Sequence, residues 1–396
     1  MSKMTNEQRV QRLRRAMETA RLDVLVLRLP ENVLLLSGFW PMIGASILVF
    51  PLVGKPVCLI PHCYEGEARA SLWDVDTVYY RYGILSAPNP GVAVYELLSK
   101  IAKGKSWQRI GYEGSFETVA PPWNAAESLV PASQTHALLK RIFVATADLA
   151  DATPLLEAER SRKTPYEVER LRIATEISNF GLKAFAEAVR VGVSGVELVA
   201  TVEQAVMVCG TDYKGASRVR AFAQVAVGSE ESALGYRPNE VSTTRQLADG
   251  DLALLELGVV ADGYWADRTR VRVAGTPSNY QRELCEIVRR AQLAGVAAMR
   301  PGVTASEVDL AARKVVADAG FSKFFPHITG HGLGFRYHES GPILSPESQE
   351  VLEEGMFTSV EPGLYDKTFG GLRFEDDVLV TASGAEALGP FPMDLV

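Results

Sequence analysis

The chain has 396 residues, which exceeds the usual size of one domain, so we expect two domains. Hydrophobic residues make up 47% and charged residues 22%, which is typical of a globular protein with a sizeable core. The net charge of -7 and the lack of a long Lys/Arg run argue against nucleic acid and anionic membranes as partners.

The N-terminal segment predicts neither a secretory signal nor a membrane span. Residues 1–15 are polar and basic with no apolar run behind them, and the apolar stretches that follow are too short to cross a bilayer. Cys58, His62 and Cys63 lie close enough in sequence to suggest a structural zinc site. No second cysteine cluster accompanies them, so we favour a strand followed by a turn. We expect a cytoplasmic, reducing location.

The first part of the chain alternates predicted helices and strands. Residues 6–20 and 92–102 have helical spacing. Short apolar segments that we predict as strands, separated by Gly and Pro, lie at residues 23–27, 46–51, 56–60 and 109–111. This alternation predicts a small α/β domain, to which we assign residues 1–152.

The composition changes after this point, and we assign residues 153–396 to a second domain. A charged stretch at 157–163 is followed by a helix start, in which Thr164 is the N-cap and Glu167 stands three residues later. A proline between them at the first helical position supports the same start. We therefore predict a helix that begins directly after Thr164.

A weak internal repeat follows. The segment 190–197 contains a Gly turn and a capping box, and 300–307 repeats both features 110 residues later. A strand-rich stretch follows each copy, so we predict two helix–helix–sheet copies in an α+β domain. The alternative is that the shared Gly-Val-Ser/Thr sequence is only a common connection between helices.

A strand with one carboxylate in its middle is predicted at residues 252–260, where Glu256 is the only charged side chain. Asp262-Gly263 predicts a hairpin turn, and the return strand carries Asp267. Folding about that turn brings Glu256 and Asp267 to within about two positions along the ladder. Two acids on adjacent buried strands raise each other's pKa unless a cation lies between them.

The same pattern recurs downstream. Residues 356–361 predict a strand that ends at Glu361, and we expect the following Pro-Gly pair to turn the chain into a partner strand that carries Glu375. Between the two hairpins, residues 329–334 contain three glycines. Glycines let a backbone pass close to a site, so we expect His331 to point into it.

Four carboxylates and one histidine on two strand pairs suit two divalent cations about 3.5–4 Å apart. Without cations the converging carboxylates would be strongly destabilising, whereas two divalent metals and a hydroxide nearly neutralise them. The oxygen-rich set favours Mn, with Co, Zn or Fe as alternatives. We therefore predict two metal ions per chain, held by Glu256, Asp267, His331, Glu361 and Glu375.

Several motifs stand in a fixed order along the second domain. They are Glu256-x-Gly258, Asp267-Arg268-Thr269-Arg270, Gly330-His331-Gly332-x-Gly334, His338-Glu339, Glu361-Pro362-Gly363 and Arg373-x-Glu375-Asp376. In this order they resemble the prolidase and aminopeptidase P family. The resemblance implies a pita-bread metallopeptidase fold for residues 153–396 and a creatinase-like fold for the smaller N-terminal α/β domain.

The resemblance also implies how the metals are held. Asp267 and Glu375 would bridge both metals. Glu256 would complete the ligands of the first metal, and His331 with Glu361 those of the second. A metal-bridged hydroxide would attack the scissile carbonyl, while one metal polarises its oxygen.

Further residues take roles by the same resemblance. Glu361 would act as general base and proton shuttle, and His338 would donate a hydrogen bond to the tetrahedral intermediate. Tyr365 and Arg373 match positions that steady the metal ligands. His327 matches a position near the active site, although a structural role before a Gly turn is equally compatible.

Two departures from the family pattern concern metal and substrate binding. The family normally has Asp at the position of Glu256, and one extra methylene moves a carboxylate by roughly 1.5 Å. That change would shift or weaken the first metal. The family also usually has a substrate-facing histidine near residues 235–239, where this chain has Arg237 and Asn239 but no histidine.

The resemblance implies a homodimeric metallo-exopeptidase that cleaves the Xaa-Pro bond of dipeptides. The dipeptide preference rests on His338-Glu339-x-x-Pro342, which resembles the prolidase version. Aminopeptidase P activity on longer peptides is one alternative. A non-peptide C–N hydrolase of the creatinase or ectoine hydrolase type is another, motivated by Glu256 and the missing histidine. A non-catalytic binding protein is the third, but such a site should have lost its ligands to Ala, Ser or apolar residues.

Overall fold

The computed structural model describes residues 6–41, 45–115, 132–143, 147–237 and 242–396. These residues form two compact units, one up to Arg160 and the other from Ser161 onwards. The boundary predicted from composition, between residues 152 and 153, lies at the start of the helix Thr153–Ser161. Most of that helix belongs to the first unit.

The first unit is built on a six-stranded sheet with helices between its strands. Its helices are α1 (Glu7–Thr19), α2 (Pro30–Ser37), α3 (Glu65–Ser71), α4 (Pro90–Ala102), α5 (Ala132–Ile142) and α6 (Thr153–Ser161). Its strands are β1 (Val24–Leu27), β2 (Ile47–Pro51), β3 (Val57–Pro61), β4 (Asp76–Tyr80), β5 (Arg109–Tyr112) and β6 (Asp148–Asp151). Their order is β4–β3–β2–β1–β5–β6, and three of the five pairs are parallel. The predicted α/β alternation is confirmed.

Of the helices described in this unit, only α1 and α4 were predicted, and the start of α2 shows one reason. Helix α2 begins at a proline without a side-chain N-cap of its own. The buried carboxylate of Glu113 instead accepts the backbone N–H groups of Arg28 and Leu29, both at 3.1 Å. Because Glu113 is distant in sequence, no local pattern indicates this helix start.

The structure supports the strand-and-turn interpretation of the first cysteine segment. Cys58 is buried in β3, whereas Cys63 is exposed. His62 Nδ1 accepts the backbone N–H of Tyr82 at 3.1 Å, so this nitrogen has a structural partner. Within the described part of the chain, these three side chains form no cluster that could hold a metal ion.

The second unit starts with two helices and a three-stranded antiparallel sheet. The elements are α7 (Pro165–Ala188), α8 (Gly195–Gly210), β7 (Val219–Val227), α9 (Gly228–Ser232), β8 (Leu252–Ala261) and β9 (Tyr264–Val273). The sheet order is β7–β8–β9. The capping box of Thr164 and Glu167 starts α7 as predicted. One apolar core joins the two helices to the sheet.

Two more helices and a larger sheet follow. The elements are α10 (Asn279–Ala298), α11 (Ala305–Asp318), β10 (Gly330–Gly332), β11 (Glu339–Leu344), β12 (Phe357–Val360), β13 (Gly363–Asp366), β14 (Gly370–Arg373), β15 (Asp376–Thr381) and β16 (Gly384–Ala387). The sheet order is β11–β10–β12–β15–β16, and β13–β14 forms a separate hairpin. Of the described helices, none has the length and apolar character needed to cross a membrane.

The loops between the paired helices confirm the internal repeat. Gly192 and Gly302 both have left-handed backbones, with φ of 87° and 89°. Gly192 N–H donates to the carbonyl of Leu247 at 2.8 Å, and Gly302 N–H donates to that of Leu352 at 2.9 Å. A capping box follows each glycine. A common helix connection alone would not produce matching hydrogen bonds to residues distant in sequence, so the two copies share more than the connection.

One predicted turn is wrong. The Pro362-Gly363 pair does not reverse the chain, because β13 begins at Gly363 and forms its hairpin with β14. Strand β12 nevertheless pairs with β15, and Val360 lies opposite Asp376. Glu361 therefore directly follows β12 and Glu375 directly precedes β15. The two acids come together through a strand pair with an inserted hairpin rather than through one tight turn.

Candidate metal centre

The β8–β9 hairpin places the first two acids. Asp262 and Gly263 both have positive φ, 51° and 91°, as a tight hairpin turn of the I′ type requires. In the resulting register Gly258 lies opposite Asp267. Glu256 is two residues from Gly258 and so lies on the same face of the sheet. The predicted separation of two ladder positions between Glu256 and Asp267 is confirmed.

A contact between the two halves of the unit adds Glu375. Its backbone N–H donates to the carbonyl of Thr269 at 3.2 Å, in an isolated antiparallel bridge. Thr269 lies opposite Glu256 on β8. The side chains of Glu256, Asp267 and Glu375 consequently have carboxylate oxygens within 4.8 Å of one another.

His331 and Glu361 complete the group. Ligand atoms of His331, Glu361 and Glu375 also lie within 4.8 Å of one another. Asp267, Glu375 and His331 are 1%, 1% and 4% exposed, so the group is largely removed from water. The structure therefore brings together all five residues for which the sequence predicts metal binding.

Glycines on either side of His331 allow its backbone to lie this close. A Cβ on Gly330 would be 2.0 Å from the carbonyl oxygen of Ser359, and one on Gly332 would be 1.9 Å from that of Gly341. No side chain fits at such distances. The glycines are thus a steric requirement of the close packing of β10 against its two neighbouring strands, β11 and β12.

The tautomer of His331 leaves a lone pair inside the site. His331 Nδ1 contacts the carbonyl of Gly332 at 2.9 Å, and because a carbonyl only accepts, this nitrogen carries the proton. His331 Nε2 lies 3.4 Å from Asp267 Oδ2 and 3.4 Å from Glu361 Oε1. Nε2 is therefore the ring nitrogen turned toward the site, at a position where it could serve as a metal ligand between the two carboxylates.

The carboxylates on this side of the site also have open acceptor atoms. Both carboxylate oxygens of Asp267 and Oε1 of Glu375 have no hydrogen-bond partner among the described residues. Burial and the neighbouring carboxylates raise the pKa of Asp267 and of Glu375 well above the usual range. Burial also raises the pKa of Glu361, against the attraction of His331 and Arg373.

Glu256 is held differently. Its Oε1 accepts the hydroxyl of Tyr337 at 2.7 Å. Its Oε2 accepts a short hydrogen bond from Nη2 of Arg373. The Thr269 hydroxyl lies between two acids, 2.9 Å from Glu256 Oε2 and 2.6 Å from Glu375 Oε2, and donates its one proton to either. Burial opposes ionisation, but Arg373, Tyr337 and Thr269 outweigh it and lower the pKa of Glu256. Glu256 is the one of the four acids whose pKa is lowered, and Arg373 contacts it more closely than it contacts Glu361 or Glu375.

A hydrogen-bond chain holds Arg373. His327 Nδ1 contacts the carbonyl of Ile328 at 2.7 Å and so carries the proton, which leaves Nε2 to accept the hydroxyl of Tyr365 at 3.1 Å. Tyr365 in turn accepts Nη1 of Arg373 at 3.1 Å. Burial and Arg373 lower the pKa of His327 to about 3, which is consistent with a neutral ring.

His338 lies beside the cluster on the segment before β11. Its ring is 4.4 Å from the ring of His331, and burial and His331 lower its pKa well below the usual range. The next residue, Glu339, pairs with Lys163 at 2.9 Å, and both side chains are buried. Glu339 also accepts the backbone N–H of Phe335 at 2.7 Å. This buried pair fixes both ends of the segment that carries His338.

Three residues at the site have no role assigned by the sequence analysis. Thr269 could have been found by counting the hairpin register, since it lies opposite Glu256. Tyr337 and Lys163 have no such signal, because their partners are 81 and 176 residues away. Of the two residues considered for the missing histidine, Arg237 is exposed, with its guanidinium 5.9 Å from the ring of Tyr236. Asn239 lies outside the described residues.

The donor set fits divalent cations. Four carboxylates and one imidazole converge, while Arg373 is the cation in contact with them. Three buried carboxylate oxygens on Asp267 and Glu375 have acceptor capacity that no described side chain uses. Oxygen ligands with one imidazole are the set that hard and borderline divalent metals prefer.

Comparison with known proteins identifies the family of the chain. The chain matches the model of metallopeptidase family M24 over residues 169–382, and that of the creatinase/prolidase N-terminal domain over residues 9–162. It is 30% identical to an Xaa-Pro dipeptidase of Pyrococcus furiosus, over 96% of this chain and 97% of that protein. It is 31% identical to an Xaa-Pro dipeptidase of Lactobacillus delbrueckii subsp. lactis, over 92% and 91%.

A solved structure gives the same result for the fold. The Xaa-Pro dipeptidase from Bacillus anthracis superposes with a TM-score of 0.80 at 27% identity, covering 99% of both chains. The predicted pita-bread domain and creatinase-like N-terminal domain are confirmed. This chain therefore belongs to metallopeptidase family M24, among the metallo-exopeptidases of the prolidase and aminopeptidase P group.

Proposed function

We propose that the protein is a dipeptidase that cleaves Xaa-Pro dipeptides with two divalent cations, Mn²⁺ being favoured. Five residues would hold the cations: Glu256, Asp267, His331, Glu361 and Glu375. The observation that carries the proposal is the convergence of a histidine lone pair and open carboxylate oxygens on one buried space. The dipeptidase names of the full-length relatives support the substrate class.

The bound cations would supply a Lewis acid for the scissile carbonyl and lower the pKa of a water molecule. The protein contributes the positions of these ligands. Asp267 and Glu375 lie centrally, because each belongs to a three-residue group at either side of the site. They are the residues we propose as shared ligands, whereas Glu256 and His331 belong to opposite sides.

Glu361 is the residue we propose as general base. Its side chain is 12% exposed, so its carboxylate can reach substrate and water. The hydroxyl of Ser359 donates to Glu361 Oε1 at 3.1 Å and orients it. Because burial raises its pKa, Glu361 can accept a proton from the attacking water and pass it to the leaving prolyl nitrogen.

His338 is the residue we propose as the stabiliser of the tetrahedral intermediate. A neutral imidazole donates one N–H, and this ring stands beside that of His331 at the edge of the cluster. Lys163 and Glu339 hold the segment in place without contacting the reacting atoms. A homodimer and a cytoplasmic location stay predictions.

The test compares two substrates after removal and replacement of metal. The purified protein is stripped with a chelator, supplied with Mn²⁺, and assayed for hydrolysis of Ala-Pro and Ala-Pro-Ala. We expect Mn-dependent release of proline from Ala-Pro and no cleavage of the tripeptide. Cleavage of both would instead indicate aminopeptidase P activity. Two bound metals without cleavage of either would contradict the Xaa-Pro proposal and point to another C–N bond.

A further inference from the structure

We propose that Tyr337 is a positioning residue for Glu256, and that its hydroxyl makes this long side chain an effective ligand for the cation at that side. The inference rests on the metal site proposed above. It concerns a residue outside the five ligands and outside the acid–base groups. It also addresses the glutamate that stands where the family normally has aspartate.

The contact between the two side chains is direct. Tyr337 Oη donates to Glu256 Oε1 at 2.7 Å; the tyrosine is buried, and the Glu256 side chain is 18% exposed. The phenol is the donor in this contact, because it carries a hydroxyl proton and the carboxylate oxygen accepts. The other oxygen, Oε2, accepts from Arg373 and lies beside the Thr269 hydroxyl. Donors on both oxygens fix the plane of the carboxylate.

Packing places the ring of Tyr337 independently of that hydrogen bond. The ring lies 5.3 Å from the ring of Trp265 and 4.4 Å from that of His338. It also covers Gly258, where a Cβ would come within 2.8 Å of the ring carbon Cε2. Removing the hydroxyl alone should therefore leave the ring in place.

Glu256 needs such a partner more than an aspartate would. Glutamate has one more rotatable bond, so more conformational freedom is lost when its carboxylate is held in one position. Gly258 and Tyr337 act together here, because the missing side chain at 258 leaves room for the ring beside Glu256. The Tyr337 hydroxyl then restricts the added freedom of the longer ligand.

A double-mutant cycle on metal binding tests this. Mn²⁺ is titrated into the metal-free full-length protein by calorimetry, for wild type, Y337F, E256D and E256D/Y337F. We expect Y337F to raise the dissociation constant of the more weakly bound Mn²⁺ ion by about tenfold. This factor corresponds to the loss of about one hydrogen bond to a charged group. In the E256D background, the same change should weaken it less than about threefold, because the shorter carboxylate no longer reaches the hydroxyl.

The matched control is Y280F, which removes a hydroxyl from a half-exposed tyrosine on α10. We expect it to bind metal as wild type does. Far-UV circular dichroism verifies that Y337F folds. If it does not, Tyr337→Met, which removes the hydroxyl but keeps apolar bulk, should show the same weakening.

Three outcomes would contradict the account, and they are distinguishable. Wild type that binds no Mn²⁺ would overturn the proposed metal site itself. Two equivalents bound equally well by wild type and Y337F would overturn the role of Tyr337 while leaving the metal site intact. Equal weakening by Y337F in the wild-type and E256D backgrounds would show that the hydroxyl does not act through the Glu256 side chain, which would overturn the positioning role.

Discussion

The two sides of the candidate metal centre are organised in opposite ways. At the Glu256 side (Glu256, Thr269, Tyr337 and Arg373), protein donors occupy both oxygens of the carboxylate. At the His331 side (Asp267, His331 and Glu361), the Asp267 oxygens have no partner among the described residues and the histidine lone pair faces carboxylates. The first side is balanced without a cation, whereas the second is not. We therefore expect cation-dependent effects to be largest at the His331 side.

The largest effect is expected for His331→Ala. This change removes the imidazole ligand and leaves Asp267 and Glu361 facing each other across the gap. We expect turnover of Ala-Pro to be lost and bound Mn²⁺ to fall, as measured by hydrolysis and metal analysis of the same samples. His136→Ala in the first unit is the control and should keep both. Full activity in the His331 variant would contradict the expectation that the His331 side depends on a bound cation.

Glu361→Gln should come next. The amide keeps the size of the side chain but cannot accept a proton, so kcat should fall by about 10²–10⁴-fold. Because the other four metal-compatible residues remain, we expect Mn²⁺ binding to be weakened rather than abolished. Steady-state kinetics beside calorimetric metal titration checks both. An unchanged kcat would exclude Glu361 as the base.

Replacing Lys163 tests the buried ion pair that holds the segment beside the metal centre. Its partner Glu339 ends that segment, which carries Tyr337 and His338. Lys163→Met leaves the buried carboxylate of Glu339 without this cation, which should lower the free energy of unfolding by about 3–5 kcal/mol. Urea denaturation measures it. The control is Lys314→Met, which breaks an exposed pair with Asp318 and should cost no more than about 1 kcal/mol. Equal losses in the two variants would mean that the buried pair has no special role.

The pH dependence of the metal-free protein should show the same contrast. The raised pKa values of Asp267, Glu375 and Glu361 mean that the folded apoprotein binds protons there which the unfolded chain releases. Their contribution to stability is present below pH about 4 and is lost as pH rises, by up to about 1.4 kcal/mol per pH unit for each proton. Glu256, whose pKa is lowered, has the opposite sign.

This dependence is measured by urea denaturation at about pH 5, 6.5 and 8, in the presence of either EDTA or Mn²⁺. We expect the stability of the metal-free protein to fall with pH, and Mn²⁺ to reduce the fall. Asp267→Asn should flatten the slope of the metal-free protein, because it removes one of the raised groups. A metal-free protein whose stability rises from pH 5 to pH 8, unchanged by Asp267→Asn, would contradict the charge imbalance at the His331 side.

Much of the site could be predicted because its chemistry follows local patterns. Register counting from Asp262-Gly263 gives the separation of Glu256 and Asp267, and capping boxes give the helix starts of the repeat. Side-chain partners distant in sequence could not be found this way. Tyr337 reaches Glu256, and Lys163 reaches Glu339, only after the whole unit has folded. The sequence thus predicted the five residues that converge, and the family resemblance added Tyr365 and Arg373, but neither indicated Tyr337 or Lys163.

The misplaced turn has a similar cause. Pro-Gly is a common turn sequence, but here it connects β12 to β13, and the chain reverses only after Asp366. The strand pairing of β12 with β15 was still predicted correctly, and both strands are almost wholly buried. Turn composition was therefore the weaker guide, and strand burial the stronger one.

The most direct test of the central claim is anomalous diffraction at the manganese edge from crystals of the Mn²⁺-loaded protein. We predict two anomalous peaks among the five residues, with Asp267 and Glu375 contacting both ions, Glu256 contacting one, and His331 with Glu361 contacting the other. Peaks elsewhere, or none in this space, would contradict the proposed metal centre.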